Sequence, residues 1–151
     1  MKKAVGVLGG GQLGRMLALS GHPLGVTCVC LDRSAEAPAR DVSELVVGDF
    51  DDPSALEALA KCDVVTFEWE SVPEQAARTL AERVPVRPSP DVLAVAQDRL
   101  REKSCFEELG IPTPRFLPAA SVEELARALV EIGTPAVVKT RRLGYDGKGQ
   151  R

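Results

Sequence analysis

Three glycines at the spacing G-x-G-x-x-G follow a short apolar run near the start of the chain. They are Gly9, Gly11 and Gly14, and the apolar run covers residues 4–8. Between a strand and a helix, the first glycine permits a tight turn, the second lets a ligand approach the backbone, and the third lets helix and strand pack closely. The segment therefore predicts a doubly wound α/β unit, in which the first N–H groups of the helix could bind an anion.

An aspartate at the end of the second apolar run leaves two interpretations of this glycine turn open. Asp32 lies about 20 residues beyond the glycines, where an NAD enzyme holds the ribose. Aspartates at strand ends also commonly cap loops, and Gln12 and Arg15 could instead grip a small phosphorylated ligand directly.

Acidic residues also follow the apolar run 63–67, at Glu68 and Glu70. The carboxyl ends of strands in an open sheet are where ligands bind, and the two side chains share a side if the strand continues. Alternatively, Glu70 or Ser71 caps the helix that we expect to begin at Pro73.

The last cluster of chemically capable residues closes the chain. Lys139 ends an expected strand, and the glycine-rich run 144–150 with Lys148 follows it. Backbone N–H groups and an ammonium in such a loop can cradle a polyphosphate, although the order of a P-loop is absent. A plain β-hairpin with a solvated lysine is the alternative, and the nearby Arg141, Arg142 and Arg151 favour the anion site.

Alternating apolar and amphipathic segments predict the elements that carry these residues. We expect strands at 3–8, 26–31, 45–47, 63–67 and 84–86, with helices at 12–20, 53–61 and 73–82. This rhythm indicates a parallel open sheet over residues 1 to about 88. Beyond it we expect a helical stretch at 91–109, short strands at 116–117 and 135–140, and a helix at 121–131 that starts with a capping box at Ser121 and Glu124.

The remaining acids and thiols are better explained by structural roles than by metal binding. Asp51 and Asp52 precede a proline, which favours a helix start over a metal cluster. Cys28 and Cys30 are two apart on a strand and are expected to face one side as buried thiols, and the Cys/His spacings of zinc sites are absent from the sequence.

Bulk composition narrows the class of protein. The 151 residues carry a net charge of -3 with both signs interspersed, which gives no reason to expect nucleic acid as a partner. No apolar run approaches the roughly 18 residues of a membrane span, and the basic start is not followed by the apolar stretch of a signal peptide. We therefore expect a cytoplasmic protein without a membrane partner.

Four stretches taken together resemble one family. They are residues 8–16 (LGGGQLGRM), residues 66–70 (TFEWE), Asp98-Arg99 with Lys103, and residues 138–150 (VKTRRLGYDGKGQ). The set resembles the 5-(carboxyamino)imidazole ribonucleotide synthetases, ATP-grasp ligases of purine biosynthesis. The resemblance implies a Rossmann-like pre-ATP-grasp domain with a parallel sheet over 1–88, a helical linker over 89–114, and the start of the small ATP-grasp lobe over 115–151.

The resemblance also implies ligands and the residues that hold them. ATP is expected at Arg99, Lys139, Gly144, Tyr145, Asp146, Gly147, Lys148, Gly149 and Gln150. Aminoimidazole ribonucleotide is expected at Gly11, Gln12, Leu13 and Glu70. MgATP would phosphorylate bicarbonate to carboxyphosphate, and the carboxylate would pass to the exocyclic amine of the ribonucleotide. No catalytic residue or metal ligand is assigned within the chain, because the magnesium ligands of the family would follow Arg151. A homodimer is implied.

One departure, one consequence and three alternatives accompany this assignment. Ser71 stands where the family motif continues with Asn, so the amide of that motif is absent at this position. The resemblance makes the chain a fragment, which we expect neither to turn over nor to bind ATP tightly by itself. The alternatives are an NAD(P)-binding oxidoreductase domain, a formate-dependent glycinamide ribonucleotide transformylase, and a binding or scaffold module.

Overall fold

The computed structural model describes residues 3–144 and 148–151, which form two compact units. The first unit is Met1–Leu93 and the second is Ala94–Arg151. In the described part of the chain, every helix is too short or too polar to cross a lipid bilayer.

The first unit is built on a parallel sheet of four strands in the order β3-β2-β1-β4. The strands are β1 (Lys3–Leu8), β2 (Val26–Asp32), β3 (Glu44–Val47) and β4 (Val64–Phe67). The helices of this unit are α1 (Gln12–Gly21), α2 (Pro53–Leu59) and α3 (Glu74–Ala81). The central strand β1 pairs with β2 through Leu8 and Leu31 and with β4 through Leu8 and Phe67, so the ends of these strands meet at one edge. The predicted α/β class with a parallel sheet is confirmed.

Side chains alternate along the strands into two buried clusters, one on each face of the sheet. Leu8 and Leu31 belong to a large cluster that includes Leu59, Val65 and Leu80. Val7, Cys28 and Cys30 belong to the smaller cluster, together with Ala18 and Ala39. Burial on both faces explains why the strand sequences are continuously apolar. The prediction that Cys28 and Cys30 share a buried side is confirmed.

Of three further predictions for the first unit, one needs correction, one is refined by a single residue and one is confirmed. The expected strand 84–86 is reduced to a single parallel bridge between Val86 and Val65. Helix α1 ends at Gly21, one residue beyond the expected range 12–20, and a turn of 3-10 helix follows that ends at Gly25 with φ of 73°. Asp52 does cap α2, because its carboxylate accepts a 2.9 Å hydrogen bond from the N–H of Ser54.

The helices α4 (Pro90–Ala96), α5 (Arg99–Glu108) and α6 (Val122–Ile132) follow, α4 running across the division between the units. The helical stretch expected at 91–109 is interrupted because Asp98 is the N-cap of α5. The capping box of α6 is confirmed with one difference. Ser121 accepts from the N–H of Glu124, but the Glu124 carboxylate accepts from the N–H of Ala120, one residue before the N-cap.

The two strands expected in the second unit are wrong as regular strands. Residues 116–117 form no ladder with a described neighbour, and the ring of Phe116 lies instead 5.3 Å from the Lys103 ammonium. Residues 135–140 contribute a single antiparallel bridge, between Lys139 and Gln150. Apolar runs become strands only where another strand offers a hydrogen-bonding edge, which periodicity alone cannot reveal.

Candidate functional site

The glycine turn, residues 9–11, connects β1 to α1 and requires glycine for two different reasons. Gly9 has φ of 114°, and a Cβ there would lie 2.6 Å from Oε1 of Glu68. A Cβ on Gly14 would lie 2.7 Å from the backbone oxygen of Gly9, so the third glycine lets the helix pack against the turn. These contacts confirm the predicted strand–turn–helix unit.

Two carboxylates accept hydrogen bonds from the N–H groups of this turn. The N–H of Gly10 donates to Oδ2 of Asp32 at 2.9 Å, and the N–H of Gly11 donates to Oε1 of Glu68 at 3.2 Å. Asp32 also accepts a 2.9 Å bond from the N–H of Ser34, so it caps the loop after β2. A phosphate would compete with the negatively charged Glu68 for the N-terminus of α1. The arrangement therefore matches the capping interpretation of Asp32 rather than ribose binding.

The predicted substrate residues lie at the same edge of the sheet. Gly11 is partly exposed, whereas Gln12, Leu13 and Glu70 are exposed, Leu13 by 53%. They follow β1 and β4, which are neighbours, so the topology places them at adjoining strand ends. Their role in binding stays a prediction.

Glu68, which accepts from the N–H of Gly11, was not among the predicted binding residues. The strand β4 ends at Phe67, so the argument that Glu68 and Glu70 share a side of a continuing strand does not apply. Helix α3 begins at Glu74 with Pro73 at its N-cap and without a side-chain capping bond, which does not support a cap at Glu70 or Ser71. The sequence offered one signal for this role of Glu68. The residue directly follows the apolar run that forms β4, the strand beside β1.

In the second unit, we term the described residues 138–144 and 148–151 the glycine-rich hairpin. Its described arms are held by bonds from the N–H of Val138 to Arg151 O at 2.8 Å and from the N–H of Thr140 to Gly149 O at 2.7 Å. Paired arms of this kind fit both the plain β-hairpin alternative and the anion-binding loop, whose role stays a prediction. Lys139 and Lys148 are exposed on it. The predicted ATP residues Tyr145, Asp146 and Gly147 lie outside the described residues.

Arg99, in the first turn of α5, lies beside the beginning of this hairpin. Its N–H donates to the backbone oxygen of Arg141 at 2.9 Å, and its Nη2 would lie 3.9 Å from a Cβ on Gly144. Its Nε is buried and has no hydrogen-bond partner within the described part of the chain. The structure thus brings together Arg99 and Gly144, two of the predicted ATP residues.

An ion pair between a buried carboxylate and a half-exposed guanidinium joins the same two segments. Asp98 is 4% exposed, and its Oδ2 accepts from Nη2 of Arg141 at 2.6 Å. Hydrogen bonding to the Arg141 guanidinium, with smaller contributions from the N–H groups of Arg101 and Leu100, lowers the pKa of Asp98 to about 2 despite the opposing effect of burial. Asp98 belongs to one of the sequence motifs, but the motif does not predict this pair.

Models of known protein families match both parts of the chain. Residues 1–97 match the model of the ribonucleotide synthetase pre-ATP-grasp domain. The chain belongs to this family. Residues 104–151 match the ATP-grasp domain, so the resemblance stated from the sequence motifs is confirmed.

Two curated relatives of the chain carry the same name. The chain is 51% identical over 148 residues to N5-carboxyaminoimidazole ribonucleotide synthase of Pseudomonas aeruginosa, and 45% identical to the Brucella melitensis protein of that name. Each match covers 97% of this chain and 41% of the relative, so the chain spans about two-fifths of the length of these curated proteins.

Solved structures agree with this pattern. The Thermus thermophilus synthetase is 52% identical with a TM-score of 0.89, over 97% of this chain and 39% of the other. An Aspergillus clavatus synthase in complex with ADP and 5-aminoimidazole ribonucleotide is 35% identical with a TM-score of 0.85, over 99% of this chain and 40% of the other.

Proposed function

We propose that the full-length protein carboxylates 5-aminoimidazole ribonucleotide with bicarbonate and ATP, giving N5-carboxyaminoimidazole ribonucleotide, ADP and phosphate through carboxyphosphate. This is a step of purine biosynthesis. The observation that carries the proposal is a family match over residues 1–97, followed in chain order by an ATP-grasp match over 104–151. The Aspergillus clavatus synthase, whose complex holds ADP and 5-aminoimidazole ribonucleotide, supports this choice of substrates.

The nucleotide belongs, on this proposal, to the second unit. Its residues are Arg99, Lys139, Gly144, Tyr145, Asp146, Gly147, Lys148, Gly149 and Gln150. The buried, unpartnered Nε of Arg99 near Gly144 supports an anionic ligand there, since an unsatisfied buried donor is costly unless a ligand uses it. The exposed ammonium of Lys139 on the hairpin adds positive charge to balance phosphate.

The ribonucleotide belongs to the first unit, at Gly11, Gln12, Leu13 and Glu70. Because Glu68 already accepts the N–H of Gly11, the glycine turn favours an uncharged part of the ligand over its phosphate. Ring atoms, the exocyclic amine and ribose hydroxyls are suitable groups. The exposed amide of Gln12 can both donate to and accept from them.

The chemistry explains why a glycine-rich hairpin would be needed. Bicarbonate is a poor electrophile, and phosphorylation gives it a leaving group. Carboxyphosphate must then be protected from water, which a closing loop can do. Lys139 and Arg99 would orient the phosphates and offset charge that develops on the transferred phosphoryl group.

Magnesium enters this proposal only as part of MgATP. In residues 3–144 and 148–151, the structure gathers no group of three or more His, Cys, Asp or Glu side chains that could hold a metal ion. We therefore assign no step to a metal bound by these residues. We further propose a cytoplasmic homodimer that works on small molecules, without a nucleic-acid or membrane partner.

The deciding experiment measures ADP release by the full-length protein with bicarbonate, with and without 5-aminoimidazole ribonucleotide. We expect release to depend strongly on the ribonucleotide, and to fall when Lys139 or Arg99 is replaced by Ala. Formate with glycinamide ribonucleotide should give no ADP and serves as the control for the related transformylase. Absence of ribonucleotide-dependent ADP release would refute the proposal.

A further inference from the structure

The N-terminus of α5 holds the beginning of the glycine-rich hairpin through polar contacts at three consecutive residues. Asp98 accepts from Nε of Arg141 at 2.8 Å and 3.0 Å and from its Nη2 at 2.6 Å. The N–H of Arg99 donates to Arg141 O at 2.9 Å, and Nη2 of Arg142 donates to Oε1 of Gln97 at 2.8 Å. Segments that are 43 residues apart in sequence are thereby fixed to each other.

Asp98 accepts hydrogen bonds both from Arg141 and from the first turn of α5. Besides Arg141, it accepts from the N–H groups of Leu100 at 3.0 Å and Arg101 at 3.4 Å, which caps α5. With 4% of its surface exposed, this carboxylate is committed to the helix start and to the Arg141 guanidinium. Two parallel N–H···O bonds between a guanidinium and a carboxylate fix orientation as well as distance.

Apolar burial contributes less to this positioning. None of the residues Arg99–Glu108 of α5 is fully buried, and its apolar residues Leu100 and Cys105 are only partly buried. Farther along α5, Lys103 contributes another polar contact, a 2.5 Å bond from its Nζ to Oγ1 of Thr113. We therefore expect the direction of α5, and with it the placement of Arg99, to depend mainly on these polar bonds, among which Asp98 is the buried carboxylate.

We infer that Asp98 is a positioning residue for nucleotide binding, which acts through Arg141 to hold Arg99 and the glycine-rich hairpin in one arrangement. This inference rests on the proposed function. Asp98 does not contact the nucleotide, because its oxygens are used by Arg141 and the cap. Arg141, which from sequence alone counts toward an anion site, is assigned instead to hold the hairpin.

The test compares steady-state kinetics of Asp98→Asn, Arg141→Gln and the double variant in the full-length protein. Asn retains a capping oxygen but loses the charge-assisted pair, so the helix start is kept. We expect the KM for ATP to rise about tenfold in each single variant, since such bonds commonly contribute about that factor or more. The double variant should rise no further than either single variant, because the two residues act as one pair.

If Asp98 and Arg141 only kept the protein folded, their variants would show different kinetics. Loss of folded enzyme lowers kcat in proportion to the active fraction and leaves the KM for ATP unchanged, whereas we expect kcat to change less than about threefold. Glu131→Gln is the matched control, because it breaks an ion pair of the same unit, that of Arg115 with Glu131, and should leave the KM unaltered.

Calorimetric titration with ADP separates this inference from the proposed function. If the unmodified protein binds ADP and the variants bind it equally well, the positioning role is refuted while the carboxylation proposal stands. If the unmodified protein binds ADP but shows no ribonucleotide-dependent turnover, the proposed reaction is refuted and weaker ADP binding by Asp98→Asn still supports the positioning role. If the unmodified protein binds no adenine nucleotide, both are refuted.

Discussion

Replacing Gly9 by Ala should disturb the glycine turn by two separable effects. The backbone of Gly9 has φ of 114°, a conformation that costs an L-residue about 1–3 kcal/mol. The added Cβ would also lie 2.6 Å from Oε1 of Glu68, so the Glu68 side chain must move away and release the N–H of Gly11. Losing a hydrogen bond to a charged group costs about 1.5–3 kcal/mol. We therefore expect a loss in free energy of unfolding of about 3–5 kcal/mol.

The two contributions can be measured apart with a second background. In Glu68→Ala the side chain that meets the new Cβ is absent, so Gly9→Ala should cost only the backbone strain of about 1–3 kcal/mol. The coupling between the two positions should be about 2 kcal/mol. Gly25→Ala is the matched control, because Gly25 has φ of 73° and a Cβ there would meet nothing within 4 Å.

Urea unfolding, followed by the fluorescence of Trp69 and by far-ultraviolet circular dichroism, measures these costs. Trp69 is the one tryptophan of the sequence and directly follows Glu68, so it reports on this edge of the sheet. With a slope of about 1.5–2 kcal/mol per molar urea, Gly9→Ala should lower the midpoint by about 2 M. Equal costs of Gly9→Ala in both backgrounds would refute the claim that Glu68 occupies the turn.

Three further predictions follow from other parts of the structure. NADH should leave the melting temperature unchanged, because Asp32 and Glu68 occupy the N–H groups of the glycine turn; stabilisation by NADH would contradict this assignment. The Asp98→Asn variant should be about 1–2 kcal/mol less stable than the unmodified protein at pH 5, a value reduced because Arg141 is half exposed. Because the pKa of Asp98 falls from 3.8 to about 2 in the folded state, this difference should be full above pH about 4 and shrink as the pH falls towards 2; a difference independent of pH over that window would be inconsistent with the ion pair. In labelling with iodoacetamide at pH 8, the partly exposed Cys105 should react first and Cys62 slowly, since burial raises the Cys62 pKa to about 11; equal labelling rates would argue against that burial.

The sequence by itself determined the α/β class, the strand–turn–helix unit at the glycines and the family. These features are local: a glycine spacing, an apolar run or a capping residue such as Asp52 acts within a few residues of chain. The burial of Cys28 and Cys30 could be predicted in the same way, because alternation along a strand fixes which side chains share a face.

The tertiary structure alone decided which distant groups meet. Glu68 bonds Gly11 across 57 residues and Asp98 pairs with Arg141 across 43, and neither pairing leaves a periodic trace in the sequence. The same limit explains the wrong strands at 116–117 and 135–140, since a strand requires a partner edge that the segment cannot specify. Local propensity thus determined the elements, whereas the partners of charged side chains depended on how the chain brings remote segments together.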